Sequence, residues 1–255
     1  MKNKLKEKLF KGGTALGTFM MTSSLDTAEI LSYTGVDCIM IDGEHGAMSM
    51  ETAGKMVAVV RNSKAVPLLR IAINDMSLAK MGMDTGVEGL MIPMINTKEE
   101  AERAVSYCKY PPAGVRGMGP GRAVLFGAPA EEVKDYYVKA NDEVVVILQI
   151  EHRDAVENID EILSVPGIDI AFVGPFDMSA SMGLTGQINH PDVQESCRKV
   201  VSACKKHGVI PGIMTWSGVM DQHLEMGFKF LIAGIDGQIL YNGMKRLVNE
   251  YESKI

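Results

Sequence analysis

Eight short β-rich runs alternate with longer helical patterns along this chain, and that alternation restricts the fold more than any other feature. The runs are TALGTFM (14–20), VDCIMID (36–42), VPLLRI (66–71), EGLMIP (88–93), EVVVILQI (143–150), IDIAFV (168–173), VIPGIM (209–214) and FKFLIA (228–233). Most strand and helix pairs take roughly 25 to 35 residues. Between the runs lie helical stretches such as SMETAGKMVAVVRNS, TKEEAERAVSYCKY and HPDVQESCRKVVSACKKHG, the last opened by Pro191 and closed by Gly208. Such alternation implies parallel pairing through right-handed crossovers, and eight units predict a closed (β/α)8 TIM barrel. An open doubly wound sheet is the alternative, disfavoured because no GxGxxG follows the first strand. The Gly/Pro-rich segment YPPAGVRGMGPGRAVLFGAP (110–129) breaks the rhythm and reads as an elaborated rim loop within a single barrel domain spanning 1–255.

Composition narrows the partners. With 46% apolar and 23% charged residues the chain reads as an ordinary globular protein. Its net charge of −6, with no basic stripe interleaved with aromatics, gives no footprint for nucleic acid or an anionic membrane. Small molecules are the expected partners. The apolar run 144–150 is too short to span a bilayer, and the Lys-rich start MKNKLKEKLFKGG leads into no long apolar segment, so a cytoplasmic location is expected. The four cysteines make no CxxC and read as reduced, buried thiols. The 19 methionines sit mostly among apolar neighbours and read as core filling.

In a barrel of this type chemistry gathers at the carboxyl ends of the strands. There the chain places Asp42 to His45 after the second run, Arg70 near the end of the third, Gln149 and Glu151 at the fifth, Asp177 after the sixth and Asp236 after the eighth. Glu151 and Asp177 follow consecutive strands, about 4.8 Å apart, so their carboxylates can share one ion. Two acids without Cys or His suit a hard divalent ion such as Mg²⁺ or Mn²⁺. A solvated helix start is the plainer reading of Glu151, and a turn or helix cap that of Asp177. Arg70 points either over the mouth, where its fork suits an oxyanion or carboxylate, or into a structural ion pair. His45 has an acid three residues before it, and an Asp42–His45 pair could hold the imidazole in one tautomer for proton transfer.

No Lys occurs in the carboxyl-terminal half of any run, so a Schiff-base lysine is not expected. Asp236 in GIDGQ would oppose a phosphate and reads as a helix cap. Phe19, Phe176 and Trp216 each end or follow a run and could wall the cavity beyond the ion, or pack under the rim loop.

Together, IDGEH (41–45), YPPAGVRGMG (110–119), LQIE (148–151) and VGPFDMSASMG (173–183) resemble the HpcH/HpaI family of metal-dependent 2-oxo-acid aldolases, over nearly the whole chain. The resemblance implies a barrel of the phosphoenolpyruvate/pyruvate-domain type, assembled as a homo-oligomeric hexamer with helix exchange between paired subunits. It implies class II cleavage of 4-hydroxy-2-oxo acids to pyruvate plus an aldehyde, dependent on Mg²⁺, Mn²⁺ or Co²⁺. Glu151 and Asp177 would ligate the metal, Gln149 would support the pyruvate moiety, and Arg70 would meet the keto oxygen. His45 with Asp42 would move protons, Gly174 and Phe176 would hold the pyruvyl carboxylate through their backbone, and Asp84 would reach toward a neighbouring subunit's site. The departures at Phe19, Phe176 and the seventh-strand exit MTWSG reshape the aldehyde side. An acyl-coenzyme A lyase and a non-catalytic oxo-acid-binding barrel remain the alternatives.

Overall fold

The computed structural model describes residues 2–255, with the side chains of 130–135 outside that description. Eight parallel strands close into a barrel in sequence order: β1 (Ala15–Met20), β2 (Cys38–Asp42), β3 (Val66–Arg70), β4 (Gly89–Ile92), β5 (Val145–Ile150), β6 (Ile170–Val173), β7 (Ile210–Thr215) and β8 (Phe230–Ile235). The open doubly wound alternative falls with the β1–β8 pairing, which runs from Ala15↔Phe230 to Phe19↔Ile235.

The two-residue period of each strand divides the core in two. One set of side chains, including Phe19, Met40, Leu68, Ile147, Phe172 and Phe230, fills the barrel interior. The other set, among them Ile39, Leu69, Val146 and Ala171, packs outward against the helices. Gly212 is small because the rings of Phe230 and Phe172 already occupy its inward side: an added Cβ would sit 2.9 and 3.0 Å from them. Leu5 and Leu9 of the helix Lys4–Phe10 belong to the interior cluster and close the barrel at its amino-terminal end.

Asp42, Arg70 and Gln149 share the inward parity of their strands and therefore stand above the last apolar layer. Parity alone brings them together at the carboxyl-terminal mouth.

One expectation needs relocation. The segment 110–129 follows the helix Lys98–Cys108, which runs back from the mouth, so it leaves from the amino-terminal side of the barrel. There Val115 N–H donates to the Ser106 carbonyl (2.9 Å), and the Arg116 guanidinium lies 4.3 Å over the Tyr110 ring. It is not a rim loop of this chain's own mouth. Asp84, last residue of the helix Met76–Asp84, sits on that same side, 3.9 Å from Arg116 Nη2.

Candidate active site

Asp42 and Arg70 face each other across the β2–β3 register. The fully buried carboxylate of Asp42 accepts from Arg70 Nε at 2.9 Å and Nη2 at 2.6 Å, and from the backbone N–H groups of Glu44 (3.0 Å) and His45 (3.3 Å). Burial pushes this carboxyl up, but the guanidinium fork and the two backbone donors outweigh it and hold Asp42 below the usual carboxylate range. Arg70 Nη1 lies 2.9 Å from Glu44 Oε2, although no N–H points along that line, so the contact is an off-axis ion pair. The flat face of the guanidinium rests 4.5 Å from the Phe19 ring centroid. Arg70 is thus locked in one orientation while still lining the mouth.

The Asp42–His45 side-chain pair does not form. Asp42 spends its oxygens on Arg70 and on backbone donors, and the His45 imidazole swings outward, its Nε2 3.7 Å from Glu44 Oε2. Spacing in the sequence fixed which residues meet but not which atoms.

Further round the same side of the mouth, Glu151 is buried just past β5. Met94 donates its backbone N–H to Glu151 Oε1 at 2.9 Å, and the Gln149 side-chain amide donates to Oε2 through a short contact. Met94 adopts φ 53°, in the left-handed region, as its N–H meets the carboxylate. Gly174 leaves the room Glu151 needs, since a Cβ there would stand 2.8 Å from Glu151 Oε2. Burial, with the like charges of Glu44 and Asp177, pushes the Glu151 carboxyl up to about 7 against the pull of the Met94 donor. Asp177 lies in the first turn of the helix Pro175–Ser181 and lines the cavity at the mouth, while Glu151 stands behind its Gln149 and Gly174 wall.

That cavity holds about 610 Å³. Asp42, His45, Arg70, Gln149 and Asp177 line one side; Phe19, Phe176, Met214 and Trp216 line the rest. Phe176 and Trp216 hold their ring centroids 6.0 Å apart at 43°. Phe19 is not a free wall: it is buried beneath Arg70.

Among the described residues no cluster of three or more His, Cys, Asp or Glu takes metal-holding geometry. The donor set is a two-carboxylate one, and three features of it suit a hard cation. Glu151 is buried against like charges, Gln149 Oε1 is buried with no partner, and Gly174 keeps the space beside Glu151 open. The sequence reading gave no role to Glu44, though it stands inside IDGEH, nor to the Met94 amide, which leaves no side-chain signal. Asp236 does not cap its own helix in the usual way. Its buried carboxylate accepts from the backbone N–H groups of Met21 and Thr22, both at 3.0 Å, and from the Thr22 hydroxyl.

A closed barrel with a pinned arginine and a buried carboxylate at its mouth has the layout of a small-molecule enzyme. The chain belongs to the HpcH/HpaI aldolase/citrate lyase family, whose profile matches residues 15–243, and is a carbon–carbon lyase of the aldolase class. It is 34% identical over 252 residues to a 4-hydroxy-2-oxo-heptane-1,7-dioate aldolase of Salmonella dublin, covering 98% of this chain and 95% of that one. An HpcH/HpaI aldolase/citrate lyase family protein from Burkholderia cenocepacia superposes with a TM-score of 0.94 at 30% identity, covering 98% and 100% of the two chains. The HpcH/HpaI aldolase from Desulfitobacterium hafniense superposes with a TM-score of 0.90 at 33% identity, covering 97% and 96%.

Proposed function

We propose that this barrel cleaves, or in reverse forms, 4-hydroxy-2-oxo acids, giving pyruvate and an aldehyde. The observation that carries this reading is Arg70: a buried guanidinium fixed on three sides, with its remaining N–H donors available to the mouth that Asp177 also lines. In cleavage the C3–C4 bond breaks and its electron pair moves toward the 2-oxo oxygen, leaving an enolate. Arg70 meets that developing charge without reorganising, because Asp42, Glu44 and Phe19 already hold it. His45 accepts the proton of the 4-hydroxyl as the aldehyde carbonyl forms, and the enolate then takes a proton at C3 to become pyruvate. Gln149 and backbone donors near Gly174 and Phe176 orient the 2-oxo carboxylate.

A divalent ion held by Glu151 and Asp177 would add Lewis-acid charge beside the same oxygens. No strand end carries a lysine for the Schiff-base route. The chain acts as one barrel domain in the cytoplasm, as part of a homo-oligomer, a hexamer in the family's pattern. Supporting that assembly, the helix Asp236–Glu252 buries only Asp236 against its own barrel and exposes Leu240, Tyr241, Met244 and Leu247. Asp84 stands clear of its own mouth, which suits a role at a neighbouring subunit.

The test follows pyruvate release from a 4-hydroxy-2-oxo acid. Chelator should abolish it, and Mg²⁺, Mn²⁺ or Co²⁺ should restore it. Full activity in metal-stripped protein, or trapping of pyruvate on the protein by borohydride, would overturn the proposal.

A further inference from the structure

The aldehyde half of the mouth has a chemistry of its own. It is built from the exits of β6, β7 and β8, and its large side chains are Phe176, Ile188, Met214, Trp216 and Ile235. Phe176 is 49% exposed, so a large ring stands in the opening instead of packing beneath it. Trp216 is fixed from behind: the His223 ring meets it edge-on at 6.2 Å, and His223 in turn packs at 5.9 Å on Phe228. The Thr215 hydroxyl, which also lines this side, is already paired with His223 Nδ1 at 2.9 Å. Gln238 is left as an uncommitted neutral polar group.

Charge is distributed differently. The carboxylates and guanidinium that line the cavity are Asp42, Asp177 and Arg70, with the His45 imidazole beside them, and Arg70 is held by Asp42 and Glu44. Arg70 ends β3 and His45 follows β2, strands that lie across the closed barrel from β7 and β6. A carboxylate entering between Phe176 and Trp216 would lose water beside two rings and approach Asp177. Burying a charge in that way costs more than the contacts return. A flat or apolar group would meet two tilted rings at 6.0 Å, an arrangement that favours face or edge contacts.

We propose that this aldolase takes an uncharged aldehyde with an apolar or aryl substituent, and discriminates against ω-carboxylated aldehydes such as the one a heptane-1,7-dioate substrate would release. The inference rests on the aldolase reading above and deepens it.

A matched pair of probes tests it in the condensation direction with pyruvate and metal: butanal against 4-oxobutanoate, which differ only in the terminal group, with benzaldehyde as the aryl probe. The expected kcat/KM for butanal exceeds that for 4-oxobutanoate by about tenfold or more, and benzaldehyde is condensed as well. Trp216→Leu should lower the benzaldehyde-to-butanal ratio, and Gln238→Arg should raise 4-oxobutanoate relative to butanal. Each is a ratio of two substrates on one preparation, so partial misfolding cancels. A wild-type preference for 4-oxobutanoate, or ratios unmoved in both variants, would overturn the inference while the aldolase reading stands. Failure of the wild-type protein to exchange pyruvate methyl protons with deuterated solvent would overturn both.

Discussion

The mouth of this barrel is two unlike arcs. From β2 and β3 round to β5 and β6 it presents carboxylates, an arginine and an amide, of which Asp42, Arg70, Gln149 and Glu151 are buried and held at hydrogen-bond distance by named partners. From β6 through β7 and β8 to β1 it presents rings and aliphatic side chains whose fit depends on shape. An acid occurs on each arc, and its partners decide its use. Asp236, on the apolar arc, gives its oxygens to Met21, Thr22 and the N–H of Gly237, so it ties the β1 exit to β8. Glu151, on the polar arc, accepts from Met94 and Gln149 but lies among the like charges of Glu44 and Asp177, beside the unpartnered Gln149 Oε1. Both are buried acids with hydrogen-bonded oxygens; the difference is in the charges around them.

The largest effect should come from the polar arc. Arg70→Lys replaces a fork stacked on Phe19 with a point charge that cannot serve Asp42 through two nitrogens and also face the substrate. Loss of one preorganised donor typically slows turnover by about 10² to 10³. Steady-state kinetics on cleavage, together with deuterium exchange of pyruvate, should show both reduced by that order. Wild-type rates in this variant would erase the distinction between the arcs.

Gly174→Ala sharpens the comparison from the backbone. The new Cβ would stand 2.8 Å from Glu151 Oε2, so the carboxylate must move. Metal affinity, measured by calorimetry, should weaken by about 10- to 100-fold, the usual scale when the surroundings of a ligand are disturbed.

How much of this was legible in the sequence differs between the arcs as well. The eight strands were legible because β-branched runs end at Gly, Pro and Asp. Their starts were read a residue or two early where an acid intervenes. β2 begins at Cys38 and not Val36, since Asp37 turns its carboxylate to Lys8 (2.7 Å) and the Leu16 N–H (2.9 Å). β6 begins at Ile170, since Asp169 accepts from the Val146 N–H at 2.9 Å. The polar arc was legible as a set of residues, because charge at a strand end is conspicuous. Its wiring was not: Asp42 bonds Arg70, and the His45 imidazole that spacing had paired with Asp42 lies nearest Glu44. The misplaced segment 110–129 was legible in principle, since a connection that follows a helix must start on the amino-terminal side. The apolar arc gave little signal, because a ring at a strand exit looks the same whether it lines a cavity or fills a core.

On the apolar arc the expected effect is on stability. Asp236→Ala leaves the Met21 and Thr22 N–H groups without their acceptor, and an unsatisfied buried donor costs about 1–3 kcal/mol. Denaturant unfolding should show a lower midpoint with an unchanged slope. The loss should be larger than that of Asp177→Ala, whose carboxylate is exposed on the opposite arc.

The smallest effect is a pH slope, and it tests whether the polar arc is strained without a cation. Burial and the like charges of Glu44 and Asp177 push the Glu151 carboxyl up to about 7, so the folded state binds this proton more tightly than the unfolded chain does. A group raised in this way contributes stability that is complete below its unfolded value, about 4.3, and that is lost as pH rises through about 7. Metal-stripped protein should therefore become easier to unfold between those limits. Saturating Mg²⁺ should reverse the trend, because the ion binds the ionised carboxylate and offsets the repulsion. Glu151→Gln removes the titrating group and should flatten the slope in metal-free buffer, whereas Trp216→Leu, on the other arc, should leave it in place. Equal slopes in wild type and Glu151→Gln would mean that the carboxylates of the polar arc relax into solvent when no cation is bound, and the contrast between the arcs would then lie in hydration and not in charge.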